Sequence, residues 1–280
     1  WSITAGGSYD WRHLIGDSQW VSSGTTPPYG YSFAYPVADK GALNGELAIE
    51  RNYSDTGAVH VSYADRARFP TLFEMYSTRF GTFINNPHLQ AERSHYGQAG
   101  VVDTVAGTHV VANVFLVRVD HAIEAVGLSP TVSEDQNVGA ERREGFEIEL
   151  SRNLLRSLSA GVNYSDLVRV VVAGAAGSAV PTDTPNHKLF GYIDWHPAPA
   201  WDVVPSIDVE SRRWLQSAVN SLDYYQGGAF SRLDLKASYR PIQQVQLEIG
   251  AYNLTDENYV IEDGYHAPGR EYFANVRVTL

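Results

Sequence analysis

The amino-acid sequence predicts an all-β protein, an antiparallel up-and-down transmembrane β-barrel, with about twelve strands in its 280 residues. Three observations carry that expectation. Apolar residues recur at every second position in many separate segments, the period of a strand with two unlike faces. The connections switch between short and long, as in a meander whose alternate turns emerge at the same end of the wall. The strands run to about 11 residues, which at roughly 3.3 Å each and a tilt near 45° cover the ~25 Å apolar band of an outer-membrane barrel.

In chain order, weaker alternation marks residues 1–13, 42–52, 57–65, 92–102 and 108–121, the last with valines on both faces. Phe146, Ile148 and Leu150 then oppose Glu147, Glu149 and Ser151, and segments 156–167 and 187–196 follow. Trp201, Val203, Ile207 and Val209 oppose Asp202, Ser206, Asp208 and Glu210. The last three strands share one design. Leu233, Leu235, Ala237 and Tyr239 alternate with charged or hydroxyl residues, Val245, Leu247, Ile249 and Ala251 with Gln246, Glu248 and Gly250, and Tyr272, Ala274, Val276 and Val278 with Phe273, Asn275, Arg277 and Thr279. Short turns are expected near 53–56, 103–107, 152–155, 197–200 and 241–242. Long connections are expected over 14–41, 66–91, 122–138, 168–186, 212–228 and 255–268. Tyr9, Trp11, Trp195, Trp201, Tyr239, Tyr252 and Tyr272 stand near strand ends, where an interfacial girdle places aromatic rings. A soluble sandwich could also turn Glu248, Lys236 and Arg277 to water, so loop asymmetry and strand length decide for the membrane barrel.

Composition excludes other classes. Thirty-two acidic against 21 basic residues give a net charge of −11, so no nucleic-acid partner is expected. Without cysteine there is neither a disulfide framework nor a thiolate nucleophile or metal ligand. The longest near-apolar stretch, residues 168–180, is interrupted by Arg169 and is too short for a spanning helix. No Gly-x-Ser-x-Gly nucleophile elbow occurs, and no enzyme is expected. The acidic pairs Glu134-Asp135 and Asp256-Glu257 lack the spaced carboxylates of a calcium loop, so neither a metal site nor a cofactor is expected.

Three motifs point further. Ser62-Tyr63-Ala64-Asp65-Arg66-Ala67-Arg68-Phe69-Pro70-Thr71-Leu72-Phe73-Glu74-Met75-Tyr76-Ser77 is followed by Asn86-Pro87-His88-Leu89-Gln90-Ala91-Glu92-Arg93-Ser94. Gly250-Ala251-Tyr252-Asn253-Leu254-Thr255-Asp256-Glu257-Asn258-Tyr259 precedes Pro268-Gly269-Arg270. Asn186-His187-Lys188 follows Pro185. In this order and spacing they resemble the barrel domain of TonB-dependent outer-membrane receptors. The terminal Leu280 departs from the aromatic residue common in that family.

That resemblance implies a barrel of about 22 strands around a plug, of which residues 1–280 would be the C-terminal part, the plug domain and the N-terminal strands being absent. It implies active uptake of a scarce nutrient, most plausibly a ferric siderophore or similar small ligand. The expected partners are the TonB complex, reached through a missing N-terminal segment, and the lipid of the bacterial outer membrane. Haem-binding members carry a histidine between the first two elements, and residues 71–85 contain none. The alternatives are a self-contained passive pore or secretion barrel of about twelve strands and, behind it, an outer-membrane enzyme.

Loop residues able to contact a ligand are Tyr76, Arg79, Phe80 and Phe83 in the 66–91 connection, by cation attraction and stacking. Glu262, Asp263, Tyr265 and His266 are their counterparts in the last connection. Packing of the loops on themselves is the competing reading of all of them.

Overall fold

A computed structural model describes residues 1–13, 15–16, 18–22, 30–34, 39–173 and 180–279. Much of the expected 14–41 connection, part of 168–186 and the terminal Leu280 lie outside the described residues.

Twelve antiparallel strands form one sheet in strict chain order: β1 Ser2–Arg12, β2 Lys40–Asn52, β3 Ala58–Arg68, β4 Glu92–Val105, β5 Thr108–Asp120, β6 Ala140–Leu155, β7 Leu158–Ala173, β8 His187–Trp195, β9 Trp201–Glu210, β10 Phe230–Ile242, β11 Val245–Tyr252 and β12 Glu271–Val278. These are the segments the alternation marks. β1 and β12 each have one neighbour and do not pair with each other, so the described sheet is an open wall. Among the described residues no helix is long and apolar enough to cross a membrane.

The short connections are tight. Ala106 and Gly107, with φ of 48° and 79°, form the two-residue turn between β4 and β5, both in the left-handed region that matches strand twist. At the other end, several long connections carry structure of their own. Residues 72–76 form one turn of helix, and Ile123–Ser129 and Val132–Asn137 pair as a small hairpin. β7 runs six residues past its expected end because Val168, Val170 and Val171 pair with the start of β6. β-branched side chains continue a ladder wherever the partner strand is equally long.

Register sorts the side chains into two faces. Ile3, Ile49, Val61, Ala99, Val114, Phe146, Tyr164, Leu189, Ile207, Leu235, Ile249 and Ala274 form one chain of directly or diagonally paired positions across the wall. This face is apolar yet uncovered: Ile3 is 70%, Ile249 62% and Val276 71% exposed. Side chains this apolar remain exposed over a whole sheet only when lipid is their solvent. The opposite, lumenal face carries Glu46, Glu149, Lys188, Asp208, Lys236, Glu248 and Arg277.

Two details depart from the sequence expectation. Tyr252 pairs with Glu271 and stacks on Phe273 at 4.9 Å, on the lumenal face and not in the girdle. The valines on both faces of β5 also find their reason. Val117 and Val119 point into the lumen at its loop end, where Ala122 and Val138 of the following loop cover them as the main buried cluster. That covering gives the lumenal face a small apolar patch, which breaks the alternation locally.

Candidate functional site at the loop end of the wall

The motif residues are structural first. Thr71 caps the Leu72–Tyr76 turn, its hydroxyl accepting from the Glu74 amide at 3.1 Å while Glu74 accepts from the Thr71 amide at 2.7 Å. Arg68, at the end of β3, donates to Glu92 at the start of β4 and to Glu74 at 3.0 Å. Burial opposes ionisation of Glu74, but the Thr71 amide and Arg68 outweigh it and hold the carboxyl below its ordinary range. Leu89 of the Asn-Pro element is fully buried, and the Asn86 amide donates to the Met75 carbonyl at 2.9 Å. In the terminal block, buried Asn253 sits at φ 51°, accepts from the Glu257 amide at 2.8 Å and donates to the Glu257 carbonyl at 2.9 Å. Asparagine tolerates that left-handed turn better than most residues.

Inside the lumen at this end lies a recess of about 340 Å³. Arg66 and Arg68 of β3, Glu92 of β4, Arg143 of β6 and Arg169 of β7 reach it by register, and Glu124 enters from the loop hairpin. Fully buried Glu141 accepts from Arg143 at 2.8 Å and from Arg169 at 2.6 Å. Arg169 also donates to Glu124 at 2.7 Å, and Glu92 accepts from the Ile123 amide at 2.7 Å. The hairpin is thus pinned to the wall by hydrogen bonds to Arg169 and Glu92. Burial raises Glu124 to about 7, Arg169 opposing it while the Glu141 and Glu92 carboxylates add to it. Sequence reasoning missed this network. The one available signal was Arg169 itself, a lone cation in a run of valines.

The sequence-selected residues fall into two groups. Arg79 is committed internally: it donates to Asp135 at 2.8 Å and lies over the rings of Phe83 at 3.6 Å and Phe73 at 4.9 Å. Phe83 and Ile84 pair with Ser133 and Glu134, joining this loop to the 121–139 hairpin. Desolvation raises Asp135, and the Arg79 charge counteracts it. Tyr76 is half-buried at the end of the helical turn. Asp263 is committed as well, accepting from the Ala218 amide at 2.6 Å and the Tyr225 hydroxyl at 2.7 Å, so that it ties the 211–229 loop to the last loop. The Tyr225 hydroxyl and then the Ala218 amide hold Asp263 below the ordinary aspartate range. Phe80, Tyr265 and His266 remain exposed, His266 lying 3.2 Å from the Asn258 side chain. Phe80 and Arg79 both have positive φ, 59° and 44°, a strained pair that presents the Phe80 ring wholly to solvent.

The loops interlock into one layer over this end. The Ser221 amide donates to the Pro130 carbonyl at 2.8 Å, and the Asp183 amide to the Trp214 carbonyl at 2.9 Å. The two groups of candidate residues therefore share an end of the wall and are joined through the 121–139 and 211–229 loops.

A family model described as TonB dependent receptor-like β-barrel matches residues 1–254. The closed form of the ferric-catecholate import receptor Fiu from E. coli superposes at TM-score 0.75 with 16% identity, over 99% of this chain and 42% of that one. The copper transporter OprC gives TM-score 0.75 and 16% identity over 99% and 45%. The siderophore receptor PiuA from Acinetobacter baumannii gives 0.68 and 17% over 99% and 40%. At such identities the likeness is one of fold. The chain spans about two-fifths of the length of these structures. Comparison with curated proteins gives no match.

Proposed function

The chain belongs to the TonB-dependent receptor-like β-barrel family, and from that premise we propose that it is the C-terminal part of an outer-membrane receptor for TonB-dependent uptake of a ferric siderophore. The observation that carries the reading is the wall itself. One face is apolar and uncovered, the other is charged, and the loops fold over the charged face at one end only. Such a wall separates lipid from a wet passage whose outer entrance is roofed.

In this reading the remaining strands, the plug and the TonB-contacting segment belong to other parts of the receptor. The two single-neighbour edges favour it over a self-contained pore of twelve strands, since an unpaired edge in lipid is costly. Ligand capture falls to the exposed side chains of the roof, Phe80, Tyr265 and His266, while Tyr76, Arg79, Phe83 and Asp263 hold the roof in shape. Several structural neighbours are siderophore and ferric-catecholate receptors, which supports an iron chelate as cargo.

The test uses the whole receptor in an outer membrane under iron limitation, supplied with a ferric catecholate as the sole iron source. Growth and saturable binding are expected, and both fall when residues 69–91 are deleted. Normal growth and unchanged binding after that deletion would refute loop-mediated iron uptake.

A further inference from the structure

At the opposite, short-turn end of the wall, we propose that Asp194, His196 and Asp202 form a binding site for a divalent transition-metal ion of the zinc class. Asp194 is the penultimate residue of β8, His196 opens the 196–200 turn and Asp202 is the second residue of β9. Trp195 lies between Asp194 and His196 and pairs with Val203 on the lipid face, so strand alternation sends both neighbours to the lumenal side. Asp202 is delivered to the same side by the returning strand, opposite Ser238. One ligand atom from each of the three lies within 4.8 Å of the others.

A second observation makes this more than a cluster of like charges. Asp194 Oδ1 and Asp202 Oδ1 are both shut off from solvent, and among the described residues no third group donates to either, the two carboxyl groups lying within hydrogen-bonding reach of each other alone. His196 Nδ1 stands 3.3 Å from Asp194 Oδ1 without the alignment of a hydrogen bond. Two ligands of a tetrahedral zinc, each about 2.0 Å from the ion, are separated by about 3.3 Å. The backbone at His196 is placed independently of any ion, because its amide donates to the Ser157 carbonyl at 2.8 Å. Lys236 is the other cation facing Asp202. A dry pair of carboxylate oxygens is stable only if a proton or a cation stands between them.

Chemistry selects the cation. One imidazole nitrogen with two carboxylate oxygens suits zinc and its first-row neighbours, whereas calcium and magnesium take oxygen ligands. Three protein ligands leave one position for water. The exposed His196 ring gives the ion a path from the aqueous side. An ion here would staple the β8–β9 hairpin at the rim. The site shares no residue with the loop end, so it stands or falls apart from the uptake reading.

The experiment titrates the whole receptor, purified in detergent, with Co²⁺ as a spectroscopic probe. One equivalent should give the intense visible absorption of a tetrahedral centre, displaced by Zn²⁺ and unaffected by excess Mg²⁺. His196→Ala and Asp202→Asn should each abolish that signal, while His266→Ala, at the other end, keeps it. Heat-modifiable mobility on gels verifies that each variant is a folded barrel. The proposal is overturned if the folded wild type gives no one-equivalent signal, or if the folded His196 and Asp202 variants bind Co²⁺ as the wild type does. A wild type that binds no Co²⁺ while Asp194→Asn raises its Tm would instead mean that a shared proton occupies the pair.

Discussion

Acidification should tighten the roof of the wall, and Glu124 is the group responsible. It sits in the 121–139 hairpin with its side chain 14% exposed, paired to Arg169 and facing the carboxylates of Glu141 and Glu92. Its pKa is about 7 when docked and near 4.5 in water. A raised pKa means that the docked state prefers the proton. The stabilisation is therefore complete below about 4.5 and disappears as pH rises through about 7. Between pH 8 and pH 5.5 the docked hairpin gains about 2 kcal/mol, roughly a 30-fold change in the docked-to-undocked ratio. Amide hydrogen exchange across residues 123–137, corrected for the intrinsic pH dependence of exchange, measures this directly. Glu124→Gln, a neutral isostere, should give the acid-like protection at both pH values. Protection that is equal at the two pH values in the wild type, or greater at pH 8, refutes the reasoning, as does a Gln variant that keeps the full dependence.

Arg79→Ala should loosen the junction between the 69–91 and 121–139 loops by about 2–3 kcal/mol, because it strands Asp135 in a buried position and removes two cation–π contacts; exchange in residues 78–84 reads this out. Phe80→Ala, at a wholly exposed ring, should leave thermal stability within about 0.5 kcal/mol while weakening ligand binding, a contrast seen by pairing calorimetric unfolding with ligand titration. The tie between the last two loops should be complete above about pH 4 and fail as pH falls through the lowered value of Asp263, since that carboxylate must be ionised to hold Tyr225 and the Ala218 amide; protection of residues 217–226 should fall in acid accordingly. On the wall, Ile249→Arg should cost about 2–4 kcal/mol in a folding titration into bilayers, whereas Gln246→Arg, on the lumenal face, should cost far less.

Particular residues show why some of this was readable and some was not. Val245, Leu247, Ile249 and Ala251 announce a strand and its lipid face by themselves, because the two-residue period is a property of the local chain. The sequence pattern likewise located all twelve strands and the end at which the loops gather. It could not tell that Arg79 is spent on Asp135, 56 residues away, or that Asp263 serves a loop 45 residues before it. Nor could it tell that β7 continues to Ala173, since that depends on the length of its partner β6.

What the sequence determined alone, then, is the wall: which segments span, which face meets lipid and which meets water, all fixed by alternation and turn chemistry. What only the tertiary structure decided is the roof and the rim. Glu124 acquires its raised pKa, Arg169 its two carboxylate partners, and Asp194, His196 and Asp202 their common centre from contacts between segments distant in sequence or across a hairpin. Burial and charge proximity are properties of packing in space, and no repeat along the chain encodes them.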